Sequence, residues 1–183
     1  MARHAPLRPY ETTWEEWLLG GGAAERFADP SLPLEVEIGC GDDDFLYESA
    51  SAHPERNWLG IEYSRKRVRR YIRRIERHLG PGAAPMPNLR LIWRPAADLV
   101  GPFLTPNKVT AYHIYFPDPW PKAHHARYRL MAPSFVASLR ESLAFGGTLD
   151  FATASDEYIV ETDEAVAEAG GLAPVPDARP GVG

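Results

Sequence analysis

The chain has 183 residues, a net charge of −5, a single cysteine and ordinary apolar and charged fractions, which indicate one globular domain and exclude a disordered or fibrous chain. The lone Cys40 excludes an internal disulfide, and it lacks partners at metal-ligand spacing, so we expect no metal site. No apolar run is long enough to cross a bilayer and residues 1–10 lack the apolar core of a signal peptide, so we expect a cytoplasmic protein with no membrane partner.

The pattern divides the chain into three segments. Residues 1–33 predict an N-terminal arm with a short helix, because Trp14, Trp17 and Leu18 recur at helical spacing. Residues 34–169 form the predicted domain. Residues 170–183 are rich in Gly, Pro and Ala and predict a loose tail.

Strands and helices alternate through the predicted domain. Strands are predicted at 34–38, 57–61, 89–93, 109–115 and 148–153, with helices following Asp44, Ser64, Pro133 and Ser155 and a glycine turn at Gly146 and Gly147. This alternation predicts an α/β fold, Rossmann-like and doubly wound, with a mostly parallel sheet. The carboxyl ends of such strands carry the ligand site.

The helix that follows Ser64 is strongly basic. Eight of the thirteen residues from Arg65 to Arg77 are Arg or Lys, and they fill the face opposite an apolar stripe. This local charge favours a polyanionic partner although the whole chain is acidic.

The glycine turn after the first strand of the domain indicates the cofactor. Gly39 and Gly41 precede Asp42, Asp43 and Asp44, whose carboxylates would repel a pyrophosphate at a helix N-terminus. Glu62 ends the next strand, twenty-one residues after Gly41, and this is the spacing at which a βαβ unit places an acid that binds a ribose. A cationic, ribose-containing ligand without phosphate satisfies both observations, and S-adenosylmethionine is such a ligand, with Glu37 near its ammonium group.

A stiff, extended loop is predicted after the strand at 109–115, because Pro117, Pro119 and Pro121 alternate with Asp118 and Trp120. A carboxylate at Asp118 can accept hydrogen bonds from the N1 and N2 edge of guanine, and Trp120 can stack on a base. The cations that could hold RNA phosphates follow at Lys122, His124, His125, Arg127 and Arg129.

Over residues 34–158 the chain resembles the tRNA (guanine-N7)-methyltransferases. The matching positions are 37–41, 60–62, 88–91, 116–122, His125, Arg129, Leu130, Phe135, Gly146, Gly147, Ala152, Thr153 and Tyr158. The resemblance implies the class I methyltransferase fold and methyl transfer from S-adenosylmethionine to N7 of a guanosine in the variable loop of tRNA. It also implies that Asp118 is catalytic and near the cofactor, and that Lys122 contacts the substrate.

Several positions depart from the family pattern. Pro95 stands where the family has an acid, so adenine contacts are expected from the backbone at Pro95 and Ala96 or from the nearby Asp98. Ala154 stands where the family has a substrate-binding aspartate, and we expect the sheet to lack the family's last strands. Two alternatives therefore stay open: a relative that binds RNA or S-adenosylmethionine without turnover, and an amino-methyltransferase acting on adenine or cytosine. The oligomeric state is left undetermined.

Overall fold

A computed structural model describes residues 10–12, 27–102, 104, 106–120, 124 and 128–175. The predicted arm helix at Trp14 and Trp17 lies outside these residues. So do Lys122, His125 and Arg127. Within the described ranges, no helix is long and apolar enough to span a membrane.

Six strands and four α-helices make up the described fold. The strands are β1 Glu11–Thr12, β2 Leu34–Ile38, β3 Asn57–Glu62, β4 Leu89–Trp93, β5 Val109–Tyr115 and β6 Leu143–Ala152. The helices are α1 Phe45–Ala52, α2 Arg65–Leu79, α3 Pro133–Ser142 and α4 Asp156–Ala169, with a short 3-10 helix at Ala96–Asp98. The predicted α/β alternation is confirmed.

The strands form one sheet in the order β1-β4-β3-β2-β5-β6, and every neighbouring pair is parallel. The chain runs outward from β2 through β3 to β4, then crosses to β5 on the other side. The carboxyl end of β2 is therefore the topological switch point, where open α/β sheets bind their ligands.

Two apolar clusters cover the two faces of the sheet. Phe135, Val136 and Leu139 of α3 and Tyr158 of α4 pack in one cluster, and the buried side of α1 and α2 packs in the other. All five residues of β2 are buried, as expected for a central parallel strand. Side chains alternate between faces, so Val36 and Ile38 lie in the first cluster while Glu35 and Glu37 face α1 and α2.

Local signals explain where the two longest helices begin. The hydroxyl of Ser64 accepts a hydrogen bond from Arg67 N at 3.4 Å, and that of Ser155 accepts one from Tyr158 N at 3.3 Å. Ser155 is therefore the N-cap of α4, and the helix predicted after it is confirmed. Gly80 ends α2 with a φ of 85°, which only glycine adopts without strain.

Two local predictions were wrong, and one strand was missed. Gly146 and Gly147 lie inside β6, which begins directly after α3, and the β5–β6 register shifts there. A Cβ at Gly147 would lie 3.0 Å from the carbonyl oxygens of Thr110 and Ala144, so glycine permits close backbone approach. The two-residue strand β1 was not predicted. The loop after β5 is not simply extended, because Phe116 and Trp120 have φ values of 48° and 45°.

Gly60→Ala should destabilise the fold. A Cβ at Gly60 would lie 2.6 Å from the Cδ2 atoms of both Leu46 and Leu91. Overpacking of this kind costs about 1–3 kcal/mol in the free energy of unfolding, measurable by urea denaturation. Combining it with Leu46→Ala should cost less than the sum of the two single changes, because truncation of Leu46 makes room. Strict additivity would contradict the predicted clash.

Candidate functional site

The carboxyl ends of β2 and β3 form the floor of the candidate site. Gly39 N donates to Ile61 O at 2.7 Å, which joins the glycine turn to β3 one residue before Glu62. Gly39 and Gly41 have φ values of 83° and 43°. The turn therefore needs glycine at both positions, and it leaves the ends of both strands open at one edge.

Glu37 is a buried carboxyl group that has no ion-pair partner among the residues that the structure describes. Its side chain is 2% exposed, and Oε2 makes no hydrogen bond within the described structure. Burial, followed by the nearby Asp43 carboxylate, raises the pKa of Glu37 to about 8, while His113 acts in the opposite direction. A buried carboxylate oxygen without a hydrogen bond is energetically unfavourable, so a ligand that supplies a hydrogen-bond donor or a positive charge would stabilise it.

Glu62 has one oxygen engaged and one available. Its Oε1 accepts a hydrogen bond from Ser64 N at 2.7 Å. Its Oε2 is buried and makes no hydrogen bond to any described residue, and the nearest cation, Arg67 Nη1, lies 3.9 Å away. This arrangement fixes the carboxylate and leaves an acceptor for a hydroxyl donor.

The acidic turn is tied to the basic helix. Arg70 Nη2 lies 2.5 Å from the Asp42 carboxylate. Arg74 Nη1 donates to the carbonyl oxygen of Asp42 and, at 2.7 Å, to that of Asp43, and it lies 3.3 Å from Asp44 Oδ1. These contacts were not predicted, although the acidic run at Asp42–Asp44 and the basic run on α2, with opposite charges, were a usable signal. Two of the three acidic charges in the turn are therefore partly neutralised.

The adenine side predicted at Pro95 and Ala96 lies beyond β4. Ala96 is buried as the first residue of the 3-10 helix and Pro95 is exposed. Two exposed aromatic residues that the sequence analysis missed flank Glu62: Trp93 Nε1 donates to Tyr63 O at 2.9 Å. The guanidinium of Arg65 lies 5.1 Å from the centroid of the Trp93 ring.

The loop after β5 presents Asp118 to solvent. Phe116 and Trp120, which flank the Pro117-Asp118-Pro119 segment, both have left-handed φ values, which are uncommon for residues other than glycine. Phe116 N donates to Ala152 O at 2.7 Å, which anchors the loop to the end of β6. Such backbone strain concentrates at ligand sites. Ala154, in the neighbouring loop, is exposed.

Arg129 is buried beneath this loop and donates hydrogen bonds to two of its backbone carbonyl oxygens. Its side chain is 4% exposed, and Nε donates to Pro119 O at 2.8 Å while Nη2 donates to Trp120 O at 3.3 Å. Nη1 pairs with Glu161, and Nη2 lies 3.2 Å from Glu157 Oε1. These partners differ from the RNA phosphate that the sequence predicted. His124 and Trp120 are exposed, and the Trp120 ring lies 5.5 Å from that of Tyr128.

A buried charge cluster lies beside Glu37 on the same face. His113 Nε2 lies 2.8 Å from Glu35 Oε2, and Nδ1 lies 3.4 Å from Asp150 Oδ2. Burial opposes the imidazolium, but hydrogen bonds to Asp150 and Glu35 raise the pKa of His113 to about 9. Arg56 also pairs with Glu35. Glu35 is thus neutralised by two cations, whereas Glu37 is not.

Comparison with known proteins defines the family. A family model with the description "Putative methyltransferase" matches residues 31–177. The chain belongs to this methyltransferase family. The resemblance noted in the sequence is confirmed by curated methyltransferase relatives.

Two of these relatives are named tRNA (guanine-N(7)-)-methyltransferase. The one from Bordetella pertussis is 37% identical over 155 residues, which are 81% of this chain and 59% of the relative. The one from Geobacter metallireducens is 36% identical over 132 residues, which are 72% of this chain and 60% of the relative. The chain thus spans about three fifths of the length of these curated relatives.

Solved structures show the same fold. The antibiotic-resistance methyltransferase Kmr superposes with a TM-score of 0.52 at 21% identity, covering 87% of this chain and 85% of Kmr. The spermidine synthase from Thermotoga maritima gives a TM-score of 0.53 at 16% identity, covering 80% of this chain and 46% of the synthase. The predicted class I methyltransferase fold is confirmed.

The pH dependence of stability should reveal the buried carboxylate of this methyltransferase domain. The pKa of Glu37 is about 8 in the folded chain against an ordinary 4.5, so the folded state binds the proton more tightly. Between these values the free energy of unfolding should fall as pH rises, by at most about 1.4 kcal/mol per pH unit. In urea denaturation, Glu37→Gln should make this decline smaller across the window, and a decline above about pH 6.5 should remain in both proteins because the pKa of His113 is raised to about 9. His113 titrates in both proteins, so parallel curves would contradict the assignment.

Loss of Arg129 should loosen the loop that carries Asp118. Arg129→Ala removes donors from two loop carbonyls and leaves Glu157 and Glu161 without their shared cation. We expect a lower midpoint of thermal unfolding and faster proteolysis within the loop. Arg129→Lys should restore only part of the thermal midpoint and of the resistance to proteolysis, because an ammonium group lacks the planar set of donors of a guanidinium. Arg69→Ala removes an exposed arginine as a matched control, and equal behaviour of the two alanine variants would refute the role.

Proposed function

We propose that this chain transfers a methyl group from S-adenosylmethionine to N7 of a guanosine in tRNA. The observation that carries the proposal is the pair of buried carboxylate oxygens, Glu37 Oε2 and Glu62 Oε2, that make no hydrogen bond to a described residue at the switch point of the sheet. The names of the curated relatives support the choice of reaction.

The charges at this edge fit the proposed cofactor. The ammonium of S-adenosylmethionine would supply the cation that Glu37 lacks, and its ribose hydroxyls would supply donors for Glu62. Gly39 and Gly41 would allow the backbone to approach the cofactor, and Pro95 and Ala96 would line the adenine. A phosphate ligand fits less well, because Glu37 and Asp43 would remain close to it without a counter-charge.

The reaction needs little acid–base chemistry from the protein. S-Adenosylmethionine supplies an electrophilic methyl group on a sulfonium when bound. Guanine N7 carries a free lone pair, so no proton has to be removed before attack, and orientation of the base carries the catalysis. Asp118 would accept hydrogen bonds from the guanine edge and would stabilise positive charge developing on the base.

The remaining predicted contacts belong to the tRNA. Trp120 would stack on a base, and Ala154 would face the substrate from the loop after β6. Lys122, His124, His125, Arg127 and Arg129 stay predicted phosphate contacts, and Arg129 would reach RNA only by leaving its loop and carboxylate partners. The variable loop as the modified region rests on the family resemblance.

Methyl transfer from labelled S-adenosylmethionine to total tRNA that lacks 7-methylguanosine tests the proposal. We expect labelled 7-methylguanosine after nucleoside analysis, and Asp118→Ala should lower the rate by about 10²-fold or more. Asp163→Ala, an exposed aspartate on α4, is the matched control and should retain the rate. Labelled N6-methyladenine or N4-methylcytosine would support an amino-methyltransferase. Cofactor binding without a labelled product would support a non-catalytic relative, for which Pro95 and Ala154 are the motivating observations.

A further inference from the structure

The basic residues of α2 divide into two sets with different surroundings. The inner set faces the candidate site: Arg70 and Arg74 hold the acidic turn, Arg67 lies near Glu62, and Arg65 lies over Trp93. These four have partners within the protein. Because the acidic turn, Glu62 and Trp93 already serve as partners of these arginines, their positive charge does not indicate an external ligand.

The outer set forms a stripe along the exposed side of the helix, which we call the outer stripe: Lys66, Arg69, Arg73 and Arg77. All four residues are exposed, and none forms an ion pair with a carboxylate of the described structure. At 100° per residue they lie within an arc of roughly 80°, opposite the buried residues, and they span roughly 16 Å along the axis. Arg77 Nε donates to Arg73 O at 3.4 Å, which keeps these neighbours aligned.

Four aligned like charges at spacings of three and four residues destabilise a helix. The chain has a net charge of −5, so this positively charged face is opposite in sign to the protein as a whole. A surface depression lined by Arg70, Arg73 and Arg77, together with Glu76, Gly80 and Pro81, lies at its C-terminal half. Both features fit an extended anion.

The stripe starts at the edge of the candidate site. Ser64, the N-cap of α2, follows Glu62 by two residues, so Lys66 lies on the first turn next to the carboxyl edge. An anion on the stripe would therefore run from that edge along the helix. A membrane surface fits poorly, because the apolar residues Val68, Tyr71, Ile72 and Ile75 are buried in the core and cannot insert.

We propose that the outer stripe binds the phosphate backbone of the tRNA substrate and orients it toward Asp118. This inference rests on the proposed function for the identity of the polyanion. Phosphate contacts from flexible cations fix register without reading sequence, so the stripe should contribute affinity rather than base selectivity.

Binding of tRNA at increasing salt concentration tests the inference. Arg69→Glu/Arg73→Glu/Arg77→Glu should weaken tRNA binding by at least about tenfold and reduce the slope of log affinity against log salt by about 2 to 3, as expected for three lost phosphate contacts. The corresponding triple lysine variant keeps the charges and should bind like the wild type. Lys108→Glu, an exposed lysine at the amino end of β5 and outside α2, is the single-site control for Arg73→Glu and should have the smaller effect.

The outcomes separate the stripe from the reaction. Unchanged tRNA affinity and salt slope in the glutamate variant would refute the role of the outer stripe. Formation of 7-methylguanosine by the wild type would still support the proposed reaction. Stripe-dependent tRNA binding without any 7-methylguanosine would uphold the stripe and reject the reaction. Loss of binding to anionic phosphatidylserine vesicles, with tRNA affinity intact, would assign the stripe to a membrane instead. Retained affinity for S-adenosylmethionine and an unchanged circular dichroism spectrum would show that the variant is folded.

Discussion

The burial of two glutamates on one strand is the constraint on which the site depends. Glu35 and Glu37 lie two residues apart on the same face of β2, with 3% and 2% of their surfaces exposed. Glu35 is neutralised by His113 and Arg56, and these partners lower its pKa despite burial, whereas the pKa of Glu37 is raised. Both side chains are almost inaccessible to solvent, but among the described residues only Glu35 has cationic partners, so the carboxyl group without a counter-charge is the one nearest the carboxyl edge. The proposed cationic ligand at that edge would neutralise Glu37, as His113 and Arg56 neutralise Glu35.

The surrounding elements keep this edge open and shaped. The parallel pairing of β2 with β3 and β5 brings Glu37, Glu62 and the loop of Asp118 to the same end of the sheet. Arg74 holds the acidic turn through the carbonyl oxygens of Asp42 and Asp43, and Arg129 holds the loop after β5 through the carbonyl oxygens of Pro119 and Trp120. Two arginines thus position the two loops that flank the switch point. Because the two loops are held independently, damage to one should leave the other in place.

The periodicity of the chain was sufficient to predict the sheet and helices, because β2 alternates apolar and acidic residues, β3 has an apolar run at its centre and α2 has a sharp apolar stripe. It was insufficient for contacts between distant residues. The pairing of Arg70 and Arg74 with the acidic turn joins residues about thirty positions apart, and charge alone does not say which arginines are used internally. The burial of Arg129 was likewise hidden, because an arginine in a basic run is typical of a solvated loop. The left-handed φ of Phe116 and Trp120 depends on contacts that no local propensity encodes.

Calorimetric binding of S-adenosylmethionine and of adenosine most directly tests whether the two buried carboxylates hold the cofactor. Glu62→Gln should weaken both ligands by about 10- to 100-fold, because both carry the ribose. Glu37→Gln should weaken S-adenosylmethionine by a similar factor and leave adenosine unchanged, because only the former has the ammonium. Wild-type affinity for S-adenosylmethionine in both variants would contradict the assignment of the site.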